Sequence, residues 1–314
     1  MLEAAPRLVA HPGLARARRR PKLDPLPYLL VAPAVLLVLG VAVYPALYAI
    51  QLSTTDANLL KLAAQENIGV RNYQKAFADA ILQGATVGTI RWVVTVSTVQ
   101  MAIALPVALF LNVNFRARGL VRAAIVVPWV VSPAVVAILW RFMVDGNFGV
   151  INDILVKLGI IAAYVPWLSE LFNTYLGLIL AESTHALPFA IWMLTNYFAS
   201  LPRELEEAAQ VDGCTRVGAL VRVVVPLAVP GIVAAALFVF IASWNELLFA
   251  FMFTSGEDVR TLPVLLRGFI PSETGVSWGI VTAGAVTATL PVAAAFLVFQ
   301  RYLVRGLASG AVKG

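Results

Sequence analysis

Leu201–Pro226 reads LPRELEEAAQVDGCTRVGALVRVVVP, the longest polar, helix-forming passage in the second half of the chain, and very apolar segments flank it on both sides. Pro202 followed by Glu204, Glu206 and Glu207 marks a helix start, since acids near an N-terminus complement the helix dipole. Ala208 and Ala209 continue it. Gly213 then lets the backbone turn through a left-handed conformation, and Thr215 to Val224 resume as a short basic helix running into Pro226 and Pro230. The stretch is predicted to be a helix-turn-helix. Soluble proteins also carry such hairpins as plain surface features, so the surroundings must decide what it is.

Composition points to a membrane. Hydrophobic residues make up 60% of the 314 and charged residues 13%, against about half and a quarter in soluble domains. The net charge of +6 falls in short basic clusters beside apolar runs, which suits membrane orientation better than a nucleic-acid groove. A single cysteine, Cys214, excludes an intramolecular disulfide framework. No GxxxxGK[ST] phosphate loop occurs, so no cofactor or nucleotide site is expected in this chain.

Residues 1–27 form a basic tail with Arg16, Arg18, Arg19, Arg20 and Lys22 close together. The uncharged run Leu26–Leu52 that follows would extend about 40 Å as a helix, enough to cross a bilayer of about 30 Å. It ends without a small-residue cleavage site and reads as a retained first span. Five more follow: Gly84–Val113, Leu120–Met143, Asn173–Ala199, Val223–Phe253 and Ser277–Tyr302. The expected fold is therefore all-α, a polytopic membrane protein with six transmembrane helices occupying 28–302 and a second tail at 303–314. Six spans put both termini on one side. Fifteen of the 23 Lys and Arg residues lie in the tails, at Arg301 beside the second tail, in the 116–122 segment and in the 201–226 hairpin, which assigns those parts to the cytoplasm. The outer segments hold amphipathic pieces, Ile151–Leu158 among them, that suit short interfacial helices or connecting loop equally. Thr261–Leu265 would re-enter near the pore mouth. Prolines inside the spans, such as Pro106, Pro188 and Pro291, predict kinks.

Glu207-Ala208-Ala209, Gly213 and Val223-x-Val225-Pro226 at their spacing resemble the cytoplasmic EAA-type coupling motif of ABC-importer permeases, with Val where Ile and Leu are usual. Tyr44-Pro45-x-x-Tyr48, Gly69–Tyr73, Pro128-Trp129 and Gly149–Asn152 resemble the first part of carbohydrate-importer permeases of the maltose type. Ser243–Glu246, Thr261–Val264 and Gly306–Gly314 are similar instead to the other permease of such systems. The resemblance implies the type I ABC-importer permease fold and a binding-protein-dependent inner-membrane component. It implies as partners a second permease (paralogue or self), two ATP-binding subunits carrying ATP and Mg, and an extracellular substrate-binding protein. Glu206, Glu207, Ala208, Ala209, Asp212, Gly213 and Pro226 would dock on the ATPase. The implied solute is a di- or oligosaccharide, and this chain would do no bond chemistry.

Charges inside spans are costly and mark a wet cavity or a partner. Arg91, Glu182 and Glu246 fall at one depth. Either Arg91 pairs with a carboxylate, or Glu182, Ser183, Asn196, Asn245 and Glu246 line a pathway walled by Trp192 and Trp244, a mixture that suits sugar hydroxyls and apolar ring faces. An ion-coupled secondary carrier would use the same charges as relays. That reading calls for an internal repeat, and no convincing one is found. His185 has no second His or Cys in a span to make a metal site.

Overall fold

The computed structural model describes residues 25–58, 65–167, 171–254, 260–268 and 277–311, with backbone alone from 303 onward. Its helices in chain order are α1 (Leu26–Ser53), α2 (Arg71–Ala78), α3 (Ala80–Asn112), α4 (Arg118–Val130), α5 (Pro133–Met143), α6 (Val150–Lys157), α7 (Tyr175–Ser200), α8 (Glu204–Val211), α9 (Arg216–Leu227), α10 (Val229–Trp244), α11 (Leu248–Phe253), α12 (Leu262–Gly268) and α13 (Trp278–Ala311). Four of these, α1, α3, α7 and α13, are long and apolar enough to cross a membrane singly. Two bent pairs, α4–α5 and α9–α10, bring the number among the described residues to as many as six, counting each pair as one span. The described residues divide into two compact units between Tyr48 and Ala49. The expected basic tail at 1–27 lies almost wholly outside the described residues. In the expected second tail the backbone stays helical through Ala311.

Two expected spans are broken. Leu120–Met143 bends by 100° between α4 and α5, where Ser132 turns extended (ψ 132°) ahead of Pro133, because the proline ring excludes the α region from the residue before it. Val223–Phe253 bends by 68° between α9 and α10 and stops again at Asn245, with α11 starting afresh at Leu248. Elsewhere the helix adapts without breaking. π-helical turns at Leu39–Val43 and Leu220–Val224 end two residues before Pro45 and Pro226. Widening the turn there takes up the carbonyl a proline would otherwise strike. Pro106, Pro188 and Pro291 sit inside continuous helices.

α3, α7 and α10 pack on one another, and small side chains let them come close. Ala104, Ala108, Ala190 and Ala235 are fully buried with Leu111, Leu194 and Phe198 at the hairpin end. Gly231 lies so near Tyr197 that any Cβ would overlap its ring. A second apolar cluster at the other end gathers Trp92, Val96, Leu178, Ala181, Trp244 and Phe249. α12 belongs to that cluster through Leu262 and Leu265, and Leu262 N donates to Thr89 Oγ1 at 2.7 Å. Of the Thr261–Leu265 segment, Leu262 onward is thus packed helix.

Of the two readings left open for Ile151–Leu158, helix or connecting loop, the segment takes the helical one, as α6. Its Lys157 binds Asp153 at 2.6 Å, which raises the ammonium pKa, yet the pair is exposed and contributes little to stability. Asn152 organises this segment instead. Fully buried, it donates from Nδ2 to the carbonyls of Asp145 (3.1 Å) and Val165 (2.9 Å) and accepts at Oδ1 from Val165 N (3.1 Å) and Trp167 Nε1 (2.7 Å). Asn152→Ala leaves those groups unpaired and is expected to cost about 2–4 kcal/mol, read as a lower thermal midpoint of the detergent-purified protein. An unchanged midpoint would show that the segment is held by other contacts.

Candidate functional site

The hairpin turn is a complete Schellman closure of α8. Cys214 N bonds to Ala209 O at 3.0 Å and Gly213 N to Gln210 O at 3.1 Å, with Gly213 at φ +91°. Those bonds satisfy carbonyls the helix end leaves open, and the geometry needs a residue that tolerates positive φ. Thr215 caps α9 by accepting from Gly218 N at 3.0 Å. Ala209 is buried against the second helix, whereas Glu207, Ala208, Asp212, Gly213 and Pro226 are exposed and Glu206 half-buried. The outer surface is apolar as well: Val211 is 87% exposed, Val217 69% and Val221 58%.

Between the two apolar clusters lies a layer of buried polar groups. Gln100 of α3, fully buried, reaches Ser183 Oγ at 3.4 Å. Glu182 of α7, 2% exposed, accepts at Oε1 from Ser243 Oγ of α10 at 2.6 Å. Glu182 Oε2 and Gln100 Oε1 have no partner among the described residues. This layer ties three spans together, and Gln100 and Ser243 were not among the expected site residues. A Gln in the middle of the apolar Trp92–Asn112 run is the signal that would have marked the first.

The remaining candidates separate. Glu246 accepts at Oε1 from Phe249 N (2.7 Å) and at Oε2 from Ala250 N (2.9 Å), so its carboxylate closes the start of α11. Neighbouring Asn245 is exposed and donates to Ile241 O at 2.8 Å. Trp244 is 4% exposed and its Nε1 donates to Ala288 O of α13 at 3.0 Å, a helix-to-helix link. Arg91 is exposed and makes no ion pair among the described residues, so the expected pairing with a carboxylate is absent. Trp192 and Asn196 stand together on an exposed face of α7, nearer the hairpin. Among the described residues no group of three or more His, Cys, Asp or Glu could hold a metal.

Broken apolar spans, a buried polar layer and an exposed hairpin define a multi-pass helical membrane protein. Its fold is that of the type I ABC-importer permeases: a chain of a bacterial alginate ABC transporter, crystallised with an alginate pentasaccharide-bound periplasmic protein, superimposes with a TM-score of 0.69 at 18% identity over 88% of this chain and 92% of that one. Residues 100–309 match the family described as binding-protein-dependent transport system inner membrane component, and the chain belongs to that family. A putative ABC transporter permease protein, ORF1 of Streptomyces antibioticus, is 37% identical over 246 residues, 77% of this chain and 96% of the relative. The trehalose/maltose transport system permease protein MalG of Thermococcus litoralis is 41% identical over 142 residues, 45% of this chain and 51% of the relative. The match thus spans about half the length of that relative, and a similar share of the trehalose permease SugB of Mycobacterium tuberculosis, which is 46% identical.

Ser243→Ala would strip Glu182 of its remaining partner. Interhelical hydrogen bonds in membranes average about 0.6 kcal/mol and reach about 1.7, and a buried carboxyl left bare belongs at the upper end. The variant should melt several degrees lower in detergent and Ser243→Thr should recover most of the loss; equal melting of Ser243→Ala and the parent would remove this pair from the structural framework.

Proposed function

We propose that the chain is one permease of an ATP-driven importer that takes a carbohydrate from an extracellular binding protein, with ATP hydrolysed on two separate subunits. The observation that carries the coupling role is the Schellman-closed hairpin with Val211, Val217 and Val221 standing open beside Glu207 and Asp212. Exposed valines on a rigid, charged-rimmed turn are what a docking knob requires. Movement of the ATPases would swing the hairpin, and the spans would open alternately to either side. A second permease, a paralogue or another copy of this chain, would complete the pathway, with both termini on the hairpin side in the cytoplasm. The trehalose, maltose and alginate systems to which relatives belong favour a sugar. This chain itself would bind no cofactor and break no bond.

Gly213→Val forces a β-branched residue into positive φ, a strain of about 1–2 kcal/mol or more, although nothing crowds the position. The variant, like Glu207→Ala, should insert normally yet lose ATPase association or ATP-driven uptake in proteoliposomes. Normal uptake in both would refute the coupling role, and uptake driven by a proton or sodium gradient without ATP would replace the importer with a secondary carrier.

A further inference from the structure

At the hairpin end, the last turn of α3, the start of α4 and the last turns of α7 enclose a cavity of about 310 Å³, bordered by Leu111, Arg122, Ile125, Trp192, Thr195 and Asn196. Trp192 is 50% exposed. Its ring is backed by Phe189 at 5.6 Å, and Phe189 is itself held between Trp129 at 4.8 Å and Phe238 at 4.0 Å. An indole fixed from behind and open in front is a preformed stacking plane.

Arg122 and Asn196 supply the polar groups that border it. Thr195 is 3% exposed and its Oγ1, though without a partner, is closed off from the space. Arg122 gives Nη2 to Leu111 O at 2.9 Å, closing the end of α3, while its Nε is buried without a partner. Asn196 presents an exposed amide. No carboxylate borders the space. An aromatic plane bordered by the Asn196 amide and the Arg122 side chain matches a glycosyl ring, whose C–H face is apolar and whose rim is hydroxylated. The volume lies at the lower end of the range of about 300–1,000 Å³ found for small-molecule sites, which fits one ring rather than a chain of them.

We propose that this cavity is a glycosyl-binding site at the hairpin end of the pathway, holding one sugar ring against Trp192. It lies ten residues along α7 from Glu182, about 15 Å at helical rise, so it is a separate station from the buried polar layer. The proposal rests on the carbohydrate-permease reading above.

The test uses the assembled complex in proteoliposomes, in a Cys214→Ser background whose ATP-driven uptake of trehalose and maltose is measured first. Asn196→Cys then reports the cavity through its rate of labelling by N-ethylmaleimide. Trehalose or maltose at ten times its half-protecting concentration should slow labelling about tenfold, whereas mannitol, which has no ring face, should not. Trp192→Ala should abolish the protection and Trp192→Phe retain it. Labelling indifferent to sugar in proteoliposomes that still take it up overturns the cavity assignment and leaves the permease reading standing. Protection by phosphatidylglycerol and not by sugar assigns the cavity to lipid and overturns it equally. Failure of the unmodified complex to take up either sugar overturns the carbohydrate reading first, and the inference with it.

Discussion

Inside a bilayer no water takes over a backbone hydrogen bond that proline deletes, so each proline in a span needs a local remedy. Three arrangements occur among the described residues. Pro106, Pro188 and Pro291 stay inside unbroken helices. Pro45 and Pro226 follow a π turn that widens the helix ahead of the ring. Pro133 and Pro230 sit at the first positions of new helices, after bends of 100° and 68°. The bends give the bundle its architecture. At the second one the hairpin helix α9 passes into α10, and beyond α10 the short break at Asn245 hands over to α11.

Close packing lets polar groups survive within this framework. Alanines at 104, 108, 181, 190 and 235, all fully buried, draw α3, α7 and α10 together. Two dry layers result, and Gln100, Glu182, Ser183 and Ser243 lie between them. A polar pair in such a place gains stability only modestly from its hydrogen bond, but leaving it unmade is costly. The layer therefore fixes the rotation of three helices about their axes more than it holds them together.

Signals confined to one stretch of chain were legible in the sequence. The hairpin could be read because acids, alanines, Gly213 and the two prolines act within a turn or two of themselves, and its glycine does adopt positive φ. Span positions could be read because hydropathy is likewise local. Which proline would break its helix could not, since Pro188 and Pro133 look alike until their neighbours are in place. The same limit governed the intramembrane candidates. Glu182 stands out as a carboxylate in an apolar run, but its partner Ser243 is 61 positions away. Glu246, equally conspicuous, is a helix cap whose role depends on a break the pattern did not show. Trp192 and Trp244 look equivalent as letters, yet one is half exposed and the other is hydrogen-bonded within the bundle.

These placements join the hairpin to α10 through one bend. The Schellman turn fixes α8 against α9, and α9 continues through the bend at Ala228, whose N–H bonds to both Val224 O (2.9 Å) and Val225 O (3.1 Å), into α10. α10 carries fully buried Ala235 and Val239 along its length and Ser243 near its end. Its sixteen residues extend about 24 Å as a helix. Cores packed this tightly shift between discrete arrangements rather than deforming gradually. Under the coupling role proposed for the hairpin, a displacement at Val211 and Val217 therefore has two outlets: rotation at the Ala228 bend, or movement of α10 against α7. The first is absorbed locally, and the second must break or re-form the Ser243–Glu182 bond. That bond is consequently the place where motion entering at the hairpin would reach the buried polar layer on α7.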